Sequence, residues 1–379
     1  MYVYNIIFLL CFRGGEFRQE YGRLGELRSV VPVKTTFVTM TATATTSMQK
    51  EIMKKLDMNS NTTVVSILPE RPNITYIVKK SKKNVQELNW LITELNQYGT
   101  NTKKTIVYCR NILTCANLYE YFILSLSQTY DDLNDRMIAM FHRSTADTNK
   151  QHVLSQFHKK DSNLRVVFAT VAFGMGVDIP DIERVVHFGG PRGLEQFSQE
   201  SGRAGRDGRS AISLVYYSGN DVAKSKCSDE VRQFCKSDNC LRETLHTYFK
   251  LENTTTTPDK PTPLCKCCSV CSVQCSCGNC EKFDCLSACE TNNFEDDDDI
   301  CRNLSAEQLE FLEDNLIDFR DVLQEQGSDD YTIIDEQFIN SILKNSAYLF
   351  CNDDVISLGL QNHDLAGDIL TLIQEIEDL

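Results

Sequence analysis

No stretch of the chain reads G-x-x-x-x-G-K-S/T or D-E-x-H, and no apolar run approaches the length of a membrane-spanning helix. Met1–Leu10 is apolar, but no basic segment precedes it and no small-residue cleavage site follows it, so no secretion signal is expected. The chain is expected inside the cell, with no membrane partner. Positive charge is also scarce: 39 Lys and Arg against 53 Asp and Glu give a net of −14. Spread evenly, that balance would exclude a polyanionic partner. It is not spread evenly. Residues 290–379 hold 24 acidic and 3 basic side chains, a net of −21, so residues 1–289 carry +7. Tryptophan is nearly absent. Trp90 lies beside the helically spaced Val85, Leu88, Leu91, Ile92 and Leu95, which predicts core rather than a base-stacking platform.

What is present centres on residues 165–208. Val166-Val167-Phe168 has the length and β-branching of a buried parallel strand. A loop with Gly174 and Gly176 follows, where backbone can approach a ligand closely. A second apolar run, Val185–Phe188, leads into a polar helical stretch ending Gly202-Arg203-Ala204-Gly205-Arg206-Asp207-Gly208. Three residues apart, Arg203 and Arg206 would point the same way on a helical turn. Two guanidiniums flanked by glycine suit a phosphate. Taken alone, GRAGR reads equally well as a basic surface turn.

In this order and spacing, the stretch resembles motifs V and VI of superfamily 2 helicases, and QESGRAGRDG resembles the RecQ family. The resemblance covers about residues 16–280. It implies an α/β fold: a RecA-like parallel sheet with helices on both faces (the second helicase lobe), a partial first lobe, a zinc-binding helical module and an acidic, mostly helical tail. It implies that Arg203 and Arg206, braced by Gln199, act on the γ-phosphate of ATP held with Mg²⁺ by the first lobe. Gly174, Gly176, Asp178, Gly202 and Gly205 would line the nucleotide.

Residues 1–68 read as the remnant of the first lobe. Thr39–Ala44, after Thr36-Phe37-Val38, resembles motif III, with Thr41 and Thr43 toward nucleic acid. Met48–Leu56 predicts a helix and Thr63–Ile67 a strand. The lysine nest and paired carboxylates that hold nucleotide and Mg²⁺ are missing, so the chain reads as a C-terminal fragment that cannot use ATP until that segment is supplied. Residues 69–220 read as the second lobe, opening at Arg71-Pro72-Asn73. Thr105–Arg110 is a strand ending in a polar turn. Ile112–Ile123 is a helix, Met137–Phe141 a strand, and Ile212–Tyr217 the last strand. Loops after such strands carry function. There the resemblance places Arg110, His142, Arg143 and Thr170 against single-stranded or forked DNA.

Residues 221–289 hold most of the 17 cysteines, nine of them between Cys265 and Cys289. C-x₂-C-x₂-C from Cys265 through Cys268 to Cys271, with Cys240 upstream, makes a four-thiolate set for structural Zn²⁺. Cys267 is an alternative to Cys265. Cys275, Cys277, Cys280 and Cys285 could hold a second ion. Cys240 is expected on one helix running from Phe234 to Phe249. In residues 290–379, Glu295–Asp299 is a solvated run. Ser305 and Gln308 form a capping-box pattern ahead of an amphipathic stretch that includes Leu309, Leu312, Leu316 and Phe319. Later segments read as weaker helices. A protein partner of unknown kind is expected for this tail.

The functional expectation is therefore a RecQ-like ATP-dependent 3′–5′ DNA helicase, represented by its C-terminal part. The alternative is a non-catalytic DNA-binding or scaffold protein derived from one.

Overall fold

A computed structural model of the chain describes residues 6–7, 24–32, 35, 37–41, 45–59, 61–65, 70–81, 84–126, 135–174, 179–223, 226–250, 260–278, 304–325, 329–349, 352–360 and 362–377. The chain divides into two units, Met1–Asn293 and Phe294–Leu379.

The first unit is built on six parallel strands: β3 (Ile74–Lys80), β4 (Thr105–Cys109), β5 (Ile138–Phe141), β6 (Val166–Ala169), β7 (Arg184–Phe188) and β8 (Ala211–Tyr217), in the order β3-β8-β7-β4-β6-β5. A parallel sheet buried on both faces needs strands apolar on both sides. Here neighbouring residues go to opposite cores. Ile106 and Tyr108 face one core while Val107 and Cys109 face the other. Val167 and Val185 likewise oppose Val166 and Val186. One face is covered by two helices, Asn89–Tyr98 and Ile112–Leu126, through Leu91, Leu95, Leu118 and Phe122. The other is covered by Val153 and Phe157 of helix Asp147–His158, by Phe197, and by the cysteine-rich segment through Phe234, Leu241 and Cys267. Phe122, Phe157, Phe168 and Phe173 are fully buried, each contributing about 1.5–3 kcal/mol of burial. The α/β fold with helices on both faces is thus as expected. Trp90 is core: its Nε1 donates to the Tyr216 hydroxyl at 3.1 Å, and the Arg184 guanidinium lies over its ring at 5.2 Å.

In the first 65 residues, β1 (Ile6–Ile7) pairs in parallel with β2 (Thr39–Met40), so pairing falls just after the expected Thr36–Val38 run. Helix Thr46–Lys55 is capped by the Thr45 hydroxyl, which accepts from the Met48 amide. The expected strand at Thr63–Ile67 is not formed over Thr63–Val65, and Ile67 lies outside the described residues. The single helix expected from Phe234 to Phe249 is two, Asp229–Cys235 and Leu241–Phe249. Ser237 breaks it, its hydroxyl accepting from the Asn239 amide at 3.1 Å.

The second unit packs its own core from Leu312, Leu316, Phe338, Ile342, Ile369 and Ile373. Helix Ala306–Glu325 begins with a reciprocal capping box: the Gln308 amide donates to Ser305 Oγ at 3.1 Å, and the Ser305 amide donates to Gln308 Oε1 at 2.9 Å. Later segments form helices Glu336–Asn345, Asn352–Ile356 and His363–Glu377.

Candidate functional site

The arginine turn follows helix Leu194–Ser201. Gly205 adopts φ +60°, and a Cβ there would lie 2.4 Å from Asn73 Nδ2 and 2.7 Å from the Arg209 carbonyl. Only glycine meets both demands. Arg71 clamps the turn: Nη1 donates to the Gly202 carbonyl at 2.8 Å, and Nη2 donates to those of Ala204 at 3.0 Å and Gly205 at 2.8 Å. Asn73 Nδ2 donates to the Gly205 and Arg209 carbonyls, both at 2.8 Å. The Gly205 amide donates to the Ile182 carbonyl at 2.7 Å. A hydrogen bond from Arg209 holds the Asp207 carboxyl below its ordinary range.

This turn overturns one expectation. Arg203 and Arg206 do not share a helical face, because the helix has ended at Ser201 and the positive φ of Gly205 redirects the chain between them. Arg203 is buried and Arg206 exposed. Arg203 packs with Tyr108, whose ring stacks on His187 at 5.5 Å. His187 Nε2 meets buried Glu200 Oε2 at 3.0 Å, and Gln196 donates to Glu200 Oε1 at 2.8 Å. Burial first, then Glu200, raises the Tyr108 hydroxyl well above its ordinary range, while Arg203 and Arg206 oppose the rise. Gln199 is half-buried on the same helix.

The turn lies where β3, β7 and β8 begin, since Asn73, Ile182 and Arg209 precede those strands. The other expected residues follow strand ends. Arg110, after β4, donates from Nη1 to buried Asp221 at 3.0 Å. Asp221 also accepts from the Ser218 amide at 2.8 Å and hydroxyl at 2.9 Å. Arg192 donates to the Arg110 carbonyl. Thr170, after β6, is buried, and its amide donates to the Phe141 carbonyl at 3.2 Å. Gly174 ends the 3₁₀ turn Val171–Gly174. His142, after β5, is buried. Desolvation, then Lys150, lowers its pKa. Arg143 and Thr41 are exposed. Thr43, Gly176 and Asp178 lie outside the described residues. The backbone of the arginine turn thus lies at strand starts, and Arg110, His142, Arg143 and Thr170 follow strand ends, while the Arg203 side chain reaches Tyr108 near the end of β4.

The cysteines sort themselves by geometry. Sγ atoms of Cys240, Cys267, Cys268 and Cys271 lie within 4.8 Å of one another, all four residues buried. Cys240 stands 3.6 Å from Cys267 and 4.0 Å from Cys268. Four sulfurs at 2.3 Å from a tetrahedral ion stand about 3.8 Å apart, so the set fits a metal. Thiol hydrogen bonds from Cys240 and Cys267, with the Cys271 amide at 3.4 Å, favour the Cys268 thiolate and depress its pKa. Cys265 is not in this set; Cys267 takes its place. Cys265 sits in the 3₁₀ turn Leu264–Lys266, and two positions at three residues per turn differ by about 240°. Cys265 instead groups with Cys275 and Cys277.

The cysteine module is fastened to β3. The Tyr76 amide donates to the Cys267 carbonyl at 3.3 Å, and Thr75 Oγ1 to the Lys266 carbonyl at 2.9 Å. Arg242 donates to the carbonyls of Arg71 at 3.1 Å and Ile74 at 2.6 Å, with its guanidinium over the Tyr76 ring. Arg71, Asn73 and Asp221 were missed as site residues by sequence reasoning. Only the polar residues flanking Pro72 at the β3 start gave a signal.

The helicase conserved C-terminal domain family matches residues 85–208. The chain is 32% identical over 214 residues to ATP-dependent DNA helicase Q-like 4B of Arabidopsis thaliana, covering 56% of this chain and 17% of that one. It is 29% identical over 253 residues to ATP-dependent DNA helicase RecQ of Pasteurella multocida, covering 62% and 37%. It is 32% identical over 216 residues to RecQ-like DNA helicase BLM of Xenopus laevis, covering 56% and 14%. The matched parts thus make up well under half of these relatives.

Proposed function

We propose that this chain, similar over part of its length to RecQ-like DNA helicases, supplies the second lobe and metal module of an ATP-dependent 3′–5′ DNA helicase. The observation that carries this reading is the clamped turn that holds Arg206 outward. An exposed guanidinium carried on a fixed backbone suits the charge that grows on a transferred phosphoryl. ATP, held with Mg²⁺ by a first lobe, would supply that phosphoryl. Arg203, buried beside Tyr108 and Glu200, is a positioning residue for the turn. Gln199, Gly202 and Gly205 shape the backbone that presents Arg206.

Single-stranded or forked DNA would run along the opposite strand ends, its phosphates meeting exposed Arg143 and the backbone after Thr170. Buried His142 and Asp221-bound Arg110 would support that surface rather than form most of it. The four-thiol set would hold structural Zn²⁺, contributing folding energy with no open coordination position.

In a full-length context, Arg206→Ala should lower DNA-stimulated ATPase by about 10³-fold or more, while single-stranded DNA affinity stays within about twofold. ATPase at the wild-type rate would remove Arg206 from the reaction. DNA binding with no ATPase in the unsubstituted full-length protein would favour the scaffold reading.

A further inference from the structure

The four-thiol set leaves a second group of sulfurs unused. Sγ atoms of Cys265, Cys275 and Cys277 all lie within 4.8 Å of one another, with Cys265 and Cys277 at 3.9 Å. Cys265 is buried, Cys275 half-buried and Cys277 exposed. Buried cysteines gather for the same reason any small apolar side chain does. That reason does not reach Cys277, whose surface faces solvent. The backbone brings it back deliberately. Helix Ser269–Val273 ends in tight turns, the Gln274 amide donating to the Cys271 carbonyl at 3.2 Å and the Cys275 amide to the Ser272 carbonyl at 3.1 Å. The next two residues then return toward Cys265.

We propose that Cys265, Cys275 and Cys277 supply three thiolates of a second zinc site, distinct from the Cys240–Cys267–Cys268–Cys271 site. Three thiolates select a thiophilic d¹⁰ ion over hard cations. The 3.9 Å separation matches the roughly 3.8 Å of a tetrahedral zinc–thiolate edge. It is far from the roughly 2.05 Å of a disulfide. The two sites interleave along the chain: Cys265 comes before the Cys267–Cys271 run and Cys275 after it. Filling one therefore pins both flanks of the other. With Cys277 exposed, the second ion is the weaker-held and the first to leave on chelation. Its binding displaces thiol protons, so its affinity rises with pH.

The test uses the full chain with zinc alone as probe. Metal content after equilibration with zinc and gel filtration should be about two ions per chain for wild type, one released readily to a colorimetric chelator and one slowly. Cys275→Ser/Cys277→Ser should retain about one ion, the slowly released one. Its retention shows that the variant is folded. Cys277→Ser alone, at an exposed position, should weaken the labile ion by about tenfold or more. A wild-type chain that never takes up more than one ion overturns the assignment. So does a double variant that still holds two. A wild-type chain whose Cys265 and Cys277 are disulfide-linked under reducing purification overturns it as well.

Discussion

Replacing Arg71 by alanine removes three charge-assisted hydrogen bonds at 2.8–3.0 Å and leaves the carbonyls of Gly202, Ala204 and Gly205 without that donor. Bonds to charged groups contribute about 1.5–3 kcal/mol each. These three share one half-exposed guanidinium, and water can replace part of what is lost. The sum is therefore well below additive, about 2–4 kcal/mol. At about 2–4 °C per kcal/mol for a domain of this size, the transition should fall by roughly 4–16 °C. Trp90 is the sole tryptophan and lies in the sheet core, so its fluorescence reports the unit that carries the change. Thermal unfolding followed at Trp90 measures the shift directly. Arg71→Lys should recover less than half of it, because an ammonium cannot span three carbonyls. A shift below about 1 °C for the alanine variant would refute the claim that Arg71 holds the turn.

Gly205→Ala should destabilise by at least about 2 kcal/mol, read at the same fluorophore, because φ +60° and a 2.4 Å approach to Asn73 both oppose a Cβ. His142 offers a pH test. Burial and Lys150 lower its folded-state pKa below the unfolded 6.5, so the folded state binds fewer protons. Its stabilising effect is whole above pH 6.5 and is lost as pH falls from there through the folded value. His142→Asn should therefore flatten the decline in stability between about pH 7 and pH 5; an unchanged slope removes His142 as a source. Stripping metal with a strong chelator should lower the Trp90 transition, since the Cys267 and Lys266 carbonyls are fastened to β3. An unmoved midpoint after verified loss of all metal would count against a structural ion in the four-thiol set.

The sheet was legible because β-branched runs such as Val166–Phe168 and Val185–Val186 are buried on both sides, and burial on both sides is what a continuous apolar run encodes. Helix ends were legible where a side chain caps them, as at Ser305. The arginine pair was legible as chemistry but not as geometry. Spacing of three implies a shared face only if the helix continues, and the local signals that it stops at Ser201 are Gly202 and Gly205. The stop depends on Arg71 and Asn73, about 130 residues away in sequence. The cysteines failed in a similar way. C-x₂-C spacing treats Cys265, Cys268 and Cys271 as equivalent, whereas a single 3₁₀ turn swaps Cys265 for Cys267.

The start of β3 explains why these two surprises belong together. Arg71 directs its side chain to the arginine turn and its carbonyl to Arg242 of the cysteine module. Asn73 bonds the turn through its side chain, and its carbonyl accepts the amide of Ala211, where β8 starts. Thr75 and Tyr76 then take the carbonyls of Lys266 and Cys267. Within six residues the chain is tied alternately to the turn that presents Arg206 and to the segment that gathers the thiols. A metal in the four-thiol set can therefore stiffen the turn without touching it, because both are braced on the same short length of backbone. Besides these ties, the turn is held by the Ile182 carbonyl and by its own Asp207–Arg209 pair. What fixes Arg206 is the polar start of a strand, and what fixes that strand start is, in part, the cysteine module.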